Sequence, residues 1–122
     1  MHLQLVGIDG DDIVGRFDPS IHHHGSPRAL HGGIAATALD EILVWAGLVF
    51  ERVMTVTGKL ELRYRRPVGI NEVIEVHGRV VERRGRRLLM KGRLTIGAKV
   101  AVEASGLYLA SVSIDEIVGG EG

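Results

Sequence analysis

Between His31 and Phe50 the chain runs HGGIAATALDEILVWAGLVF, a glycine pair followed by an apolar stretch with two acids near its middle. The apolar spacing predicts a helix from about Gly33 to Phe50, opened by Gly32 and Gly33. A helix start offers unpaired backbone N–H groups and a partial positive charge, which suit a developing oxyanion or a polarised carbonyl. A carboxylate such as Asp40 or Glu41 inside so apolar a helix is costly unless it is paired or hydrogen-bonded. Enzymes use such surroundings to tune an acid, a base or a nucleophile. Two structural readings compete with that chemistry: the acids could pair with arginines, and the glycines could simply permit a tight helix start and close packing.

Composition limits what the rest can be. A chain of 122 residues, 45% hydrophobic and 25% charged, reads as one domain over 1–122 that buries roughly two-thirds of its extended surface. Its 15 basic and 15 acidic residues cancel, so no bulk positive charge points to nucleic acid or an anionic membrane. The absence of cysteine rules out a disulfide framework, a thiolate nucleophile and a Cys-ligated zinc site. The start, MHLQLVGIDGDD, shows no export signal, so a cytoplasmic location is expected. Ile34 to Phe50 falls short of a membrane span and carries Asp40 and Glu41, which argues against a transmembrane helix.

The elements that must position the helix are strands. Ile13–Phe17 reads as a short strand, and IHHHGSPRAL after it as a loop with turn chemistry at Gly25, Ser26 and Pro27. The helix is apolar over most of its circumference and should therefore be buried. Thr55–Arg66 alternates, placing Val56, Leu60, Leu62 and Tyr64 on a core face and Thr57, Lys59, Glu61, Arg63 and Arg65 on the other. That assignment turns Thr57 away from the core, unless a bulge at Gly58 reverses it. Val73–Arg83 and Arg87–Gly97 form a hairpin. A three-residue loop, Arg84-Gly85-Arg86, sets Ile74 opposite Ile96, Val76 opposite Leu94 and Val80 opposite Met90. The outer face then gathers Arg79, Arg83, Arg87, Lys91 and Arg93. Val100–Ser111 supplies the last strand. One helix and about five strands imply an α+β fold, a curled antiparallel sheet around a central helix. A single helix cannot cover such a sheet, so a second copy is expected to close an edge or face.

These residues resemble a known family, the hotdog-fold acyl-CoA thioesterases of the phenylacetic-acid-degradation (PaaI-like) group. The resemblance covers nearly the whole chain. It rests on His24-Gly25 and Pro27 before the helix, HGGIAATALDE across its start, and VTGKLELRYRRPV from Val56 to Val68. It implies that a backbone N–H at Gly32 or Gly33 polarises a thioester carbonyl, that Asp40 attacks it or activates water, and that Thr57 assists. His31 would lie beside the thioester. Some relatives carry an Asn where this chain has Gly25, a departure at the position of a helper group. The resemblance implies an acyl-CoA substrate and no cofactor.

Spacing adds a constraint. Gly33 and Asp40 are about two helical turns apart, on the order of 10 Å, so one thioester carbon cannot touch both. The carboxylate or water must come from another helix, which predicts a homodimer, or a dimer of dimers, with the glycine amide of one subunit and Asp40 of the other in each site. Arg84 and Arg86 at the hairpin tip offer donors to the CoA phosphates, or form a solvated tip. His22, His23 and His24 lack partners at metal-ligand spacing, so no metal is expected. Two other functions compete: a hotdog-fold hydratase or dehydratase using His24 and Asp40, although a His-Phe-Pro-Gly-type run is absent, and a noncatalytic acyl-CoA binding module.

Overall fold

The structure, a computed structural model, describes residues 3–17, 27–67 and 73–113. Strands β1 (Gln4–Asp9) and β2 (Asp12–Phe17) precede the helix α1 (Pro27–Glu51). Strands β3 (Val53–Tyr64), β4 (Ile74–Arg84), β5 (Arg87–Ile96) and β6 (Lys99–Ser113) follow it. All six strands form one antiparallel sheet in the order β1-β2-β4-β5-β6-β3. The helix packs on one face of this sheet, against β2, β3, β4 and β5, which is the hotdog arrangement expected from the sequence.

The helix binds the sheet because its small and branched residues recur at helical spacing. Ile34, Ala35, Ala38, Leu39, Ile42, Leu43 and Ala46 are buried and meet Ile74, Val76, Met90, Leu94 and Val102 of the sheet. Its burial is not complete. Trp45 and Val49 are 37% and 38% exposed, so one apolar flank of α1 is not covered by the described residues. By length and composition α1 could cross a membrane, but its buried side chains are spent against the sheet.

Four local features differ from the sequence reading. A sixth strand exists, because Gln4–Asp9 pairs with β2 around a turn at Gly10-Asp11. The helix begins at Pro27, six residues before Gly33, since Pro fits the first helical position and has no N–H to lose. The β4–β5 hairpin keeps the expected pairs Ile74↔Ile96, Val76↔Leu94 and Val80↔Met90, but its turn is only Gly85-Arg86, with Arg84 opposite Arg87. A bulge at Val81 supplies the extra residue that a three-residue loop would have supplied. As a result Arg83 stands opposite the buried Leu88 rather than on the outer face, and its Nη1 reaches the carbonyl and carboxylate of Glu51 at 3.4 and 3.3 Å. A cation there satisfies a helix C-terminal carbonyl and complements the dipole.

The fourth difference lies in β3. Thr57 pairs with Tyr108 and Lys59 with Leu107, so Gly58 is a bulge and side-chain parity reverses across it. Leu60 and Leu62 pack against the core as expected, whereas Val56 turns outward and is 54% exposed. Val53 and Thr55 are buried in its place.

On the face opposite the helix, buried Asp12 ties three strands together. It accepts from Arg79 Nε at 2.7 Å and Arg93 Nη1 at 3.0 Å. Burial pushes its carboxyl up, but the hydrogen bonds and charges of the two arginines outweigh that and hold it below the usual aspartate range.

Candidate active site

The bulge at Gly58 turns Thr57 toward the helix, where Thr57 Oγ1 donates to Asp40 Oδ1 at 2.8 Å. Tyr108, the cross-strand neighbour of Thr57 on β6, donates its hydroxyl to the same oxygen at 2.6 Å. Asp40 is half-buried, Thr57 exposed and Tyr108 wholly buried, so the carboxylate sits at the boundary between core and solvent. Among the described residues Asp40 is not an arginine-paired acid: its partners are two neutral hydroxyls, and the helix acid seen paired with arginine is Glu51. Among the described residues Asp40 Oδ2 has no hydrogen-bond partner.

The Tyr108 ring reaches this place because of Gly106, two residues earlier on the same strand face. A Cβ at Gly106 would lie 2.6 Å from Tyr108 Cε1, closer than any real contact, so the glycine is the space the ring occupies. Burial, then the hydrogen bond to Asp40 and its negative charge, push the Tyr108 hydroxyl far above the ordinary phenol range; the Thr57 hydroxyl acts weakly the other way. The phenol is thus a proton-retaining donor. A glycine two residues before a tyrosine, Gly106-Leu107-Tyr108, is the sequence signal for this residue, though by pattern alone it marks only a strand.

The glycine pair occupies the second turn of α1. The expectation of free amides at a helix start therefore does not hold: the orphan N–H groups of α1 belong to the turn beginning at Pro27, whereas those of Gly32 and Gly33 fall within the helical ladder. Close packing by the described residues does not account for the pair either. A Cβ at Gly33 would meet nothing within 4 Å, and one at Gly32 only the Tyr64 hydroxyl at 3.9 Å, among the described residues. Neither glycine has a positive φ. Their carbonyls are held by side chains: Tyr64 donates to Gly32 O at 2.8 Å and Thr37 to Gly33 O at 2.9 Å. Tyr64, placed on the core face from the sequence, is half-exposed and ties the end of β3 to the glycine turn.

The other candidates are dispersed. His24 and Gly25, with the His22–His24 tract, lie outside the described residues, and His31 lies in the helix. Arg84 is paired with Glu82 at 2.8 Å, and Arg86 donates to the Ala110 carbonyl at 3.0 Å, which fixes it to β6. Neither touches Asp40; the hairpin carrying them abuts the Glu51 end of the helix, eleven residues or about 16 Å beyond Asp40. Among the described residues no three His, Cys, Asp or Glu side chains gather as a metal site.

Asp40, with hydroxyls on one oxygen and an unclaimed second oxygen, is arranged to attack an electrophile or take a proton from water. Comparison with known proteins identifies the family. The family model of the thioesterase superfamily matches residues 28–102, which include all of α1 but its first residue, together with β3, β4 and β5. The acyl-coenzyme A thioesterase THEM4 of Rattus norvegicus is 30% identical over 79 residues, 64% of this chain and 33% of the rat protein. A solved thioesterase superfamily protein, RHA08564, is 26% identical with a TM-score of 0.74, covering 88% of this chain and 53% of that one. This chain therefore spans about a third and about half of the lengths of those two relatives. A Streptococcus mutans protein solved bound to acetyl-CoA shares the fold with a TM-score of 0.82 at 13% identity, over 93% of this chain and 91% of its own. With the match extending over more than half of its residues, the chain belongs to the thioesterase superfamily.

Proposed function

We propose that this protein is an acyl-CoA thioesterase that hydrolyses a thioester to a carboxylic acid and free CoA. The observation that carries the reading is the Asp40 carboxylate, held through one oxygen by Thr57 and Tyr108 and, among the described residues, unpartnered at the other. The glycine pair supports it. Two glycines within a helix weaken it by roughly 1 kcal/mol each relative to alanine, and among the described residues neither packing nor dihedral angle requires them. Open space beside a helix backbone is what an approaching carbonyl needs. A glycine N–H must leave the helical ladder to polarise it, and that exchange costs least near a helix start of low helix preference.

The chemistry balances in two ways. Asp40 takes a proton from water as the water oxygen bonds to the carbonyl carbon, the C–S bond breaks, and the CoA thiolate recovers the proton. Alternatively Asp40 itself bonds to the carbonyl carbon, expels the thiolate, and the resulting anhydride is hydrolysed by water. Both routes start from the same carboxylate.

The site is completed by a second copy of the chain. Gly33 and Asp40, seven residues apart on one helix, stand about 10 Å from each other, too far to share one carbonyl group. The edge strand β3 is 12 residues long and carries the exposed Met54 and Val56, and α1 leaves Trp45 and Val49 exposed. An apolar edge of this kind is a dimerisation surface. Two antiparallel helices would bring each glycine pair to the partner's Asp40, giving two sites per homodimer. The HGG-to-Asp40 spacing together with the Thr57 strand supports reading the protein as a PaaI-like thioesterase.

Thiol release from short, medium, long and aromatic acyl-CoAs, with Asp40→Asn in parallel, tests the reading. Turnover in the parent and its loss in the variant is the expected result. Undiminished hydrolysis by Asp40→Asn would remove Asp40 from the mechanism, and binding without hydrolysis would leave a noncatalytic acyl-CoA module. Subunit mixing tests the composite site: verified heterodimers of Gly33-blocked and Asp40→Asn chains should recover one working site.

A further inference from the structure

We infer that Tyr108 is a positioning residue that fixes which oxygen of Asp40 reacts, acting with Thr57 to occupy Oδ1 and present Oδ2 to the substrate. The inference rests on the proposed role of Asp40 and deepens it. A carboxylate on an otherwise unrestrained side chain can rotate and exchange its two oxygens; two donors on one oxygen remove that freedom. Tyr108 Oη lies 2.6 Å and Thr57 Oγ1 2.8 Å from the same Oδ1, one from β6 and one from β3, so the carboxylate is clamped from two strands. The two clamps differ in character. Thr57 is an exposed side chain at the outermost strand, whereas Tyr108 is wholly buried and rigidly seated, and of the two its bond is the shorter. Ring position is itself built in: the missing side chain of Gly106 is the space into which Cε1 fits.

A purely structural tyrosine would fill the same volume without its hydroxyl. Phenylalanine preserves the ring and the fit over Gly106, which makes Tyr108→Phe a clean removal of the donor. Tyr108 touches Asp40 and not the reacting atoms, so the expected signature is in turnover rather than in binding.

Three measurements on Tyr108→Phe test this. Its thermal midpoint should stay within a few degrees of the parent. Its kcat for acyl-CoA hydrolysis should fall roughly tenfold to a hundredfold with KM changed less than about threefold. Its crystal structure should show the Asp40 carboxylate rotated or split between two orientations, where the parent shows one. Gly106→Ala, which pushes the intact ring away, should reproduce the loss in kcat. Parent-like kcat in Tyr108→Phe, or an unmoved Asp40 carboxylate, would overturn the inference while leaving Asp40 as the working group if Asp40→Asn is inactive. Should the parent hydrolyse no acyl-CoA, the functional reading falls, and the orientation of the Asp40 carboxylate in Tyr108→Phe alone decides the positioning role.

Discussion

Thr57 reaches Asp40 across 2.8 Å because β3 slips by one residue at Gly58. Without the slip, strict alternation would point Thr57 away from the helix, and the donor and the acid would sit on opposite sides of the sheet. A Cβ at Gly58 would stand 3.1 Å from the Leu107 carbonyl, a backbone atom with little room to give. Gly58→Val is therefore expected to strain the bulge, cost about 1–2 kcal/mol of stability and reduce thioester hydrolysis at least tenfold. Thr57→Val, which leaves the bulge intact, should lower turnover about tenfold with little change in melting temperature, and Thr57→Ser should restore it. Equal loss of turnover in Thr57→Ser and Thr57→Val would mean that the hydroxyl is not what matters.

The glycine pair separates stability from function in opposite directions. Because nothing lies within 4 Å of an added Cβ at Gly33, alanine there should fit the helix and stabilise the fold by up to about 1 kcal/mol, raising the melting temperature by about 4 °C. The same methyl fills the space through which a thioester approaches, so activity should drop at least tenfold. Calorimetry and thiol release on one protein sample read both effects. A Gly33→Ala variant that is fully active would count against carbonyl approach at this turn.

Asp12 gives the fold an acid-sensitive joint remote from the active site. Its carboxyl titrates below the ordinary value because Arg79 and Arg93 favour the charged form more strongly than burial opposes it. The stability it contributes is therefore complete above the unfolded-state value near 3.8 and is lost as pH falls through the lower folded-state value. Asp12→Asn should cost about 1–3 kcal/mol at neutral pH, since one charge-assisted bond is lost and two arginines are left without their anion. Denaturant titrations from pH 5 down to pH 2 should show the parent losing this increment and the variant not, so the two curves converge in acid.

The uncovered flank of α1 predicts an assembly. Trp45→Glu places a charge on the 37%-exposed indole position and should shift a dimer toward monomer in sedimentation velocity, with hydrolysis falling in parallel. Monomer that retains full specific activity would show that each chain carries a complete site.

Local pattern alone determined much of this protein. The apolar run after His31 reads as a helix with a buried face, the β4–β5 pairs follow from matching apolar residues across the hairpin, and Asp40 and Glu41 stand out as carboxylates at expensive positions. These features are legible because they depend on periodicity and composition within a few residues. Tertiary structure decided the rest. The bulges at Gly58 and Val81 change which face Thr57 and Arg83 take, and a bulge is set by the register of a strand with its neighbour, which no single segment contains. Tyr108 lies 68 residues from Asp40 and became a site residue only when β6 was laid beside β3, over the hole left by Gly106. The start of α1 moved back to Pro27, so the glycine pair marks accessible backbone and not a helix end. Local cost marks Asp40 and Glu41 alike and the family resemblance singles out Asp40, but the oxygen that acid presents is decided by donors arriving from two strands.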